Sequence, residues 1–89
     1  MAHYTVQFKS SAARQLRKFD RPIQARIAAV INSLALNPRP SGAEKFHGVE
    51  GFLRVRVGDY RIIYQLIDDR LIVLIVQVGH RREVYRQIF

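Results

Sequence analysis

Apolar and polar residues alternate most regularly over positions 52–64, on both sides of a Gly58-Asp59 pair. That pattern predicts a β-hairpin closed by a two-residue turn. The turn sets Val57 opposite Tyr60, Arg56 opposite Arg61, Val55 opposite Ile62, and Arg54 opposite Ile63. Opposed residues share a face, so Arg54, Arg56 and Arg61 stand together. Leu53, Val55, Val57, Tyr60 and Ile62 point the other way. Like charges facing each other destabilise a sheet by up to about 1 kcal/mol. The pattern assigns this face no acidic partner, so it reads as a surface built for an anion.

The rest of the chain supplies a scaffold. Tyr4, Val6 and Phe8 alternate with polar residues and predict a first strand. A helix through Phe19 follows, with a serine after Lys9 as N-cap and Ala12, Leu16 and Phe19 as its inner stripe. Its opposite side carries Arg14, Arg17, Lys18 and Arg21, which reads as a solvated cationic row. Asp20 caps a second helix with Pro22 in its first turn. Ile23, Ile27, Val30, Ile31 and Leu34 repeat at helical spacing until Asn37-Pro38 stops the helix near Leu36. A short strand over 44–47 leads to the hairpin, and an apolar run over 71–78 reads as a central strand. With a three-residue loop at Asp68-Asp69-Arg70, Ile67 pairs with Leu71 and Arg61 with Gln77. That register keeps Gln77 out of the core and carries Arg81 onto the face of Arg61. The predicted fold is α+β, in the order β-α-α-β-β-β-β. A mostly antiparallel sheet is backed by a helical hairpin in two layers, as a single domain over 1–89.

Composition sharpens the picture. Fifteen Lys and Arg against seven Asp and Glu give a net charge of +8 over 89 residues, and twelve of the cations are arginine. Arginine's planar fork suits phosphate and stacks on bases, so nucleic acid or an acidic protein is the expected partner. A chain this short buries roughly 60–65% of its unfolded surface, enough for a core. The absence of cysteine excludes disulfide staples and thiolate chemistry. The start of the chain has no signal-peptide pattern, and its longest apolar run is too short to span a bilayer. A cytoplasmic protein without membrane contact is expected.

No Gly-rich phosphate loop, H-E-x-x-H motif or serine-histidine-acid set can be assembled, and the carboxylates lack metal-ligand spacing. Neither a metal nor another cofactor is expected. Arg54, Arg56, Arg61 and Arg81 converge instead, with His80 and Tyr85 nearby in sequence. Such a set suits cleavage of RNA by its own 2′-hydroxyl, because guanidinium groups can stabilise the charge growing on phosphorus. Tyr85 could stack on a base or guide a proton.

Several segments resemble the RelE branch of the RelE/ParE toxin superfamily. They are the run over 40–48, Arg54-Val55-Arg56, Gly58-Asp59-Tyr60-Arg61-Ile62-Ile63-Tyr64, and Val78-Gly79-His80-Arg81-Arg82-Glu83-Val84-Tyr85. The resemblance implies a type II toxin that enters the ribosomal A site and cleaves mRNA. It also implies a RelB-like antitoxin that holds the toxin inactive, and operator DNA bound only through the antitoxin complex. By position, Arg61, Arg81 and Tyr85 match the family's catalytic arginines and tyrosine. Arg54, Arg56 and Lys45 are assigned to RNA phosphate. Arg54 and Arg56 stand where familiar members carry lysine, and arginine cannot give up its proton to act as a base. The proton of the 2′-hydroxyl is therefore assigned to Tyr85 or His80. Two alternatives remain: a ParE-like gyrase-inhibiting toxin and a non-catalytic domain that binds RNA or the ribosome.

Overall fold

A computed structural model describes residues 3–46 and 51–81. The elements follow the expected order: β1 (Thr5–Phe8), α1 (Ser10–Arg17), α2 (Arg21–Leu36), β2 (Glu44–Lys45), β3 (Phe52–Val57), β4 (Tyr60–Ile67) and β5 (Ile72–His80). The five strands form one sheet in the order β1-β5-β4-β3-β2. β1 lies parallel to β5, and every other pairing is antiparallel. Among the described residues, no helix is long and apolar enough to cross a membrane.

Both helices pack on the same face of the sheet. Ala12 of α1 and Ile27, Ile31 and Leu34 of α2 are buried against Val55, Ile62, Tyr64 and Ile75 of the strands. Each large apolar side chain taken out of water this way contributes about 1.5–3 kcal/mol. A smaller cluster sits on the face opposite α1 and α2, where Phe46 and Ile63 are buried with Phe52 and Val76 against them.

α1 starts differently from the serine cap expected. Lys9 occupies the N-cap without a side-chain cap hydrogen bond, and Ser10 is already helical. The reason lies in the sheet. The N–H of Lys9 donates to the Ile75 carbonyl at 2.9 Å, extending the β1–β5 ladder, while its carbonyl accepts the N–H of Ala13 at 3.0 Å. One residue thus closes a strand and opens a helix. α1 also ends at Arg17, short of Phe19. Gln24 of α2 donates its side-chain amide to the carbonyl of the last helical residue, Arg17, at 3.3 Å and to the Phe19 carbonyl just beyond at 2.7 Å. α2 keeps the expected bounds, with Asp20 in the N-cap position, Pro22 in the first turn and Asn37 at its close. The Asp20 side chain makes no cap hydrogen bond, however, and only its carbonyl takes part, accepting the Gln24 N–H at 2.9 Å.

The turn of the β3–β4 hairpin is the predicted one. Gly58 takes φ 59°, as the first central residue of a II′ turn requires. The β4–β5 connection corrects the expected register. Its loop has four residues, so Ile67 pairs with Ile72, not Leu71. A shift between Ile63 and Tyr64 then makes Val76 the extra residue and sets Gln77 opposite Ile63 and Gly79 opposite Arg61. Without that bulge, Gln77 would point among the core side chains. The bulge moves the inward positions from Val73 and Ile75 to Val78 and turns Gln77 to the opposite face, where, contrary to the expectation, it is buried all the same. The N–H of Val78, on the side that β1 no longer reaches, donates to Gln15 Oε1 at 3.0 Å.

Candidate functional site

The site is built on the face opposite α1 and α2, at the turn end of the β3–β4 hairpin. Arg56 lies directly opposite Arg61, and Arg54 opposite Ile63. Arg81 follows β5, and its N–H donates to the Asp59 carbonyl at 2.9 Å. That bond continues the β4–β5 ladder one step past Tyr60–His80 and puts Arg81 in the row of Gly79 and Arg61. The expected gathering of Arg54, Arg56, Arg61 and Arg81 therefore stands, although the register behind it differs. The bulge restores the parity that the longer loop had changed.

The four arginines differ in their surroundings. Arg61 is only 9% exposed, and its Nη1 donates to the carbonyls of Gly58 at 3.2 Å and Tyr60 at 3.1 Å. No carboxylate pairs with it among the described residues. Arg56 is exposed. Arg54 forms an ion pair with Glu44, its cross-strand neighbour on β2. The face therefore does contain an acidic residue, contrary to the expectation. The β2–β3 register brings it there, and opposite charges across a strand pair were the signal available for finding it. The buried Phe46–Ile63 cluster adjoins the arginines and, with the buried Gln77 opposite Ile63, gives the face a floor that polar alternation alone did not suggest.

Two assigned residues, His80 and Lys45, are not brought to this face. His80 pairs with Tyr60, whose side chain points to the helices. The two rings meet edge-on at 5.8 Å, and Tyr60 in turn meets Phe19 at 4.9 Å. His80 therefore stands across the sheet from Arg61, away from the position a base would need. Lys45 pairs with Leu53, a helix-side residue, and is exposed on the other side of β2 from Glu44. Tyr85 lies outside the described residues, as does His47.

A second polar cluster occupies the opposite end of β4. Asp68 accepts from Tyr4 Oη at 2.6 Å and from Arg39 Nη2 at 2.7 Å. Arg39 first, then Tyr4, holds the Asp68 carboxyl below the usual range. The same carboxylate raises the Tyr4 phenol and the Arg39 guanidinium. Nearby, burial pushes the Tyr64 phenol up to about 12, and its hydroxyl donates to the Pro38 carbonyl at 2.7 Å. This cluster ties together the chain start, the 37–43 segment and the β4–β5 loop. Among the described residues, no group of three His, Cys, Asp or Glu stands together to hold a metal ion.

The family model described as the ParE toxin of the type II toxin-antitoxin system parDE matches residues 6–85. Toxin RelG of Mycobacterium tuberculosis is 32% identical over 85 residues, covering 94% of this chain and 98% of the relative. The mRNA interferase toxin RelE of Escherichia coli K12 is 27% identical over 88 residues, covering 94% and 92%. The toxin-antitoxin complex RelBE2 from M. tuberculosis superposes with a TM-score of 0.77 at 30% identity, covering 89% of this chain and 99% of that one. With the predicted element order, the arginine-bearing hairpin and these likenesses along nearly its whole length, the chain belongs to the RelE branch of the RelE/ParE superfamily of type II toxins.

Proposed function

We propose that this toxin is a ribosome-dependent endoribonuclease that cleaves mRNA in the A site and so stops translation. One observation carries the reading: Arg54, Arg56, Arg61 and Arg81 share a sheet face that holds a single ion-paired carboxylate, Glu44, among the described residues. Such a face attracts phosphate and can stabilise the charge of a pentavalent phosphorus. The relative named an mRNA interferase supports the substrate class. In the reaction, the 2′-oxygen attacks the adjacent phosphorus and the P–O5′ bond breaks. The products are a 2′,3′-cyclic phosphate and a 5′-hydroxyl. Arg61 and Arg81 stabilise the phosphorane, and Arg54 and Arg56 grip the backbone. The chemistry needs no metal, because fixed guanidinium groups supply the positive charge. Tyr85 takes the proton role, since His80 stands on the other face of the sheet. Arginine cannot serve as base, so the ribosome must deliver the RNA in near in-line geometry. Relatives solved as RelB–RelE complexes support a RelB-like antitoxin as the partner, through which operator DNA would be reached. The site of action would be the cytoplasm.

The test is a translating extract, with mRNA ends mapped by primer extension. Codon-phased cuts that disappear with Arg81→Ala are expected. Intact mRNA during translation arrest would overturn the reading. The matching family model carries the ParE name, so a DNA-gyrase supercoiling assay runs alongside. Inhibited supercoiling with intact mRNA would favour the gyrase-poisoning alternative.

A further inference from the structure

We infer that the backbone of the Gly58-Asp59-Tyr60 turn is a positioning element for the catalytic arginines, holding Arg61 and Arg81 in fixed relation through three successive carbonyls. The carbonyls of Gly58 and Tyr60 accept from Arg61 Nη1 at 3.2 and 3.1 Å. The carbonyl between them, of Asp59, accepts the backbone N–H of Arg81 at 2.9 Å. This inference rests on the proposed role of the two arginines in cleavage.

The choice of partner has a chemical consequence. A carboxylate would orient a guanidinium but also neutralise it. A carbonyl orients the group and leaves its full charge for the phosphorane. Arginine has five N–H donors, so two carbonyls on Nη1 leave Nε and Nη2 for phosphate. Because Arg61 is 9% exposed, its side chain has little freedom to wander from this geometry.

The turn is itself braced from the helix side. Arg26 of α2 reaches over Gly58, where a Cβ would lie 3.3 Å from Arg26 Nη2. Tyr60 is wedged between Phe19 at 4.9 Å and His80 at 5.8 Å. Gly58 has φ 59°, a conformation an L side chain adopts only under strain. A residue with a Cβ at position 58 must therefore move the backbone, Arg26, or both, and displaced carbonyls would carry Arg61 and Arg81 with them.

The experiment measures single-turnover mRNA cleavage on programmed ribosomes at saturating ribosome concentration, with ribosome affinity and thermal midpoint measured in parallel. Gly58→Ala is expected to cleave about 10- to 100-fold more slowly, the scale expected for a displacement on the order of 1 Å, with ribosome affinity unchanged. In an Arg61→Ala background, the same substitution should lose a smaller factor, because one of the groups it holds is gone. Arg26→Ala leaves the turn backbone untouched and should give a smaller loss in the same direction. That variant decides the matter if Gly58→Ala does not fold. Wild-type cleavage by the folded turn variants, while Arg61→Ala and Arg81→Ala are strongly slowed, overturns this inference and leaves the function standing. An equal loss in both backgrounds, or weaker ribosome binding as its source, also overturns it. Wild-type cleavage by Arg61→Ala and Arg81→Ala overturns the proposed function itself.

Discussion

The two ends of β4 handle charge in opposite ways. At the loop end, Asp68 binds Arg39 and Tyr4, and the cation is answered by a carboxylate. At the turn end, Arg61 is held by the carbonyls of Gly58 and Tyr60, and no carboxylate among the described residues answers its charge. The first arrangement is complete in itself and serves to tie segments together. The second has orientation without neutralisation, which is what a site awaiting an anion requires. Arg54 falls between them, because Glu44 pairs with it from the sheet edge, where 57% of the Glu44 side chain is exposed. A phosphate can compete for that guanidinium. Counting cations would not separate these cases; asking what holds each cation does.

The sharpest way to break the contrast is to remove one charged group from each end. Arg61→Ala should slow ribosomal mRNA cleavage by about 10²–10³-fold, the scale of losing one fixed donor to a developing anion. Asp68→Asn should leave the cleavage rate as it is. Equal losses would show that the distinction carries no function. Next in size is Tyr64→Phe, which removes the hydroxyl bonded to the Pro38 carbonyl. It should lower stability in urea unfolding by about 1 kcal/mol without slowing cleavage. Glu44→Gln releases Arg54 to phosphate. Binding to a short single-stranded RNA should tighten, and the slope of log K against log salt should steepen by about 0.7, one more phosphate contact.

The smallest effect concerns pH. Asp68 has a lowered pKa in the folded chain, so its contribution to stability is fully present above the unfolded value of about 3.9. It fades as pH falls toward and through the folded value. Carbon-13 titration of the Asp68 carboxyl should give a midpoint below that of an unfolded peptide, and Asp68→Asn should flatten the acid limb of the stability profile. An ordinary midpoint would mean that Arg39 and Tyr4 do not hold the carboxylate in solution.

Much of the frame was legible beforehand because it follows from local periodicity. The alternation around Gly58-Asp59 placed Arg56 opposite Arg61, and the structure has that pair. Ile27, Ile31 and Leu34 repeat at helical spacing and are buried. The β4–β5 register was not legible. Val76 continues the apolar stretch that starts at Leu71, so nothing before Gln77 marks it as the bulged residue. Leu71 adds to the concealment: it takes φ 54° in the loop, where glycine or asparagine would have announced the turn. His80 was misplaced for a different reason: strand alternation sets the residue next to Arg81 on the opposite face, and nearness in sequence was given more weight than that alternation.

The sequence by itself determined the element order, the helix-facing stripe and the arginine row on the hairpin, since each depends on spacings of a few residues. Only the tertiary structure decided that β1 joins β5 in parallel, that Glu44 reaches Arg54, and that turn carbonyls hold Arg61 and the backbone of Arg81. Those contacts join residues whose relative position depends on strand register, a bulge and a turn geometry. Backbone carbonyls are present at every position and leave no trace in composition. Their role becomes visible only once the chain has folded around them.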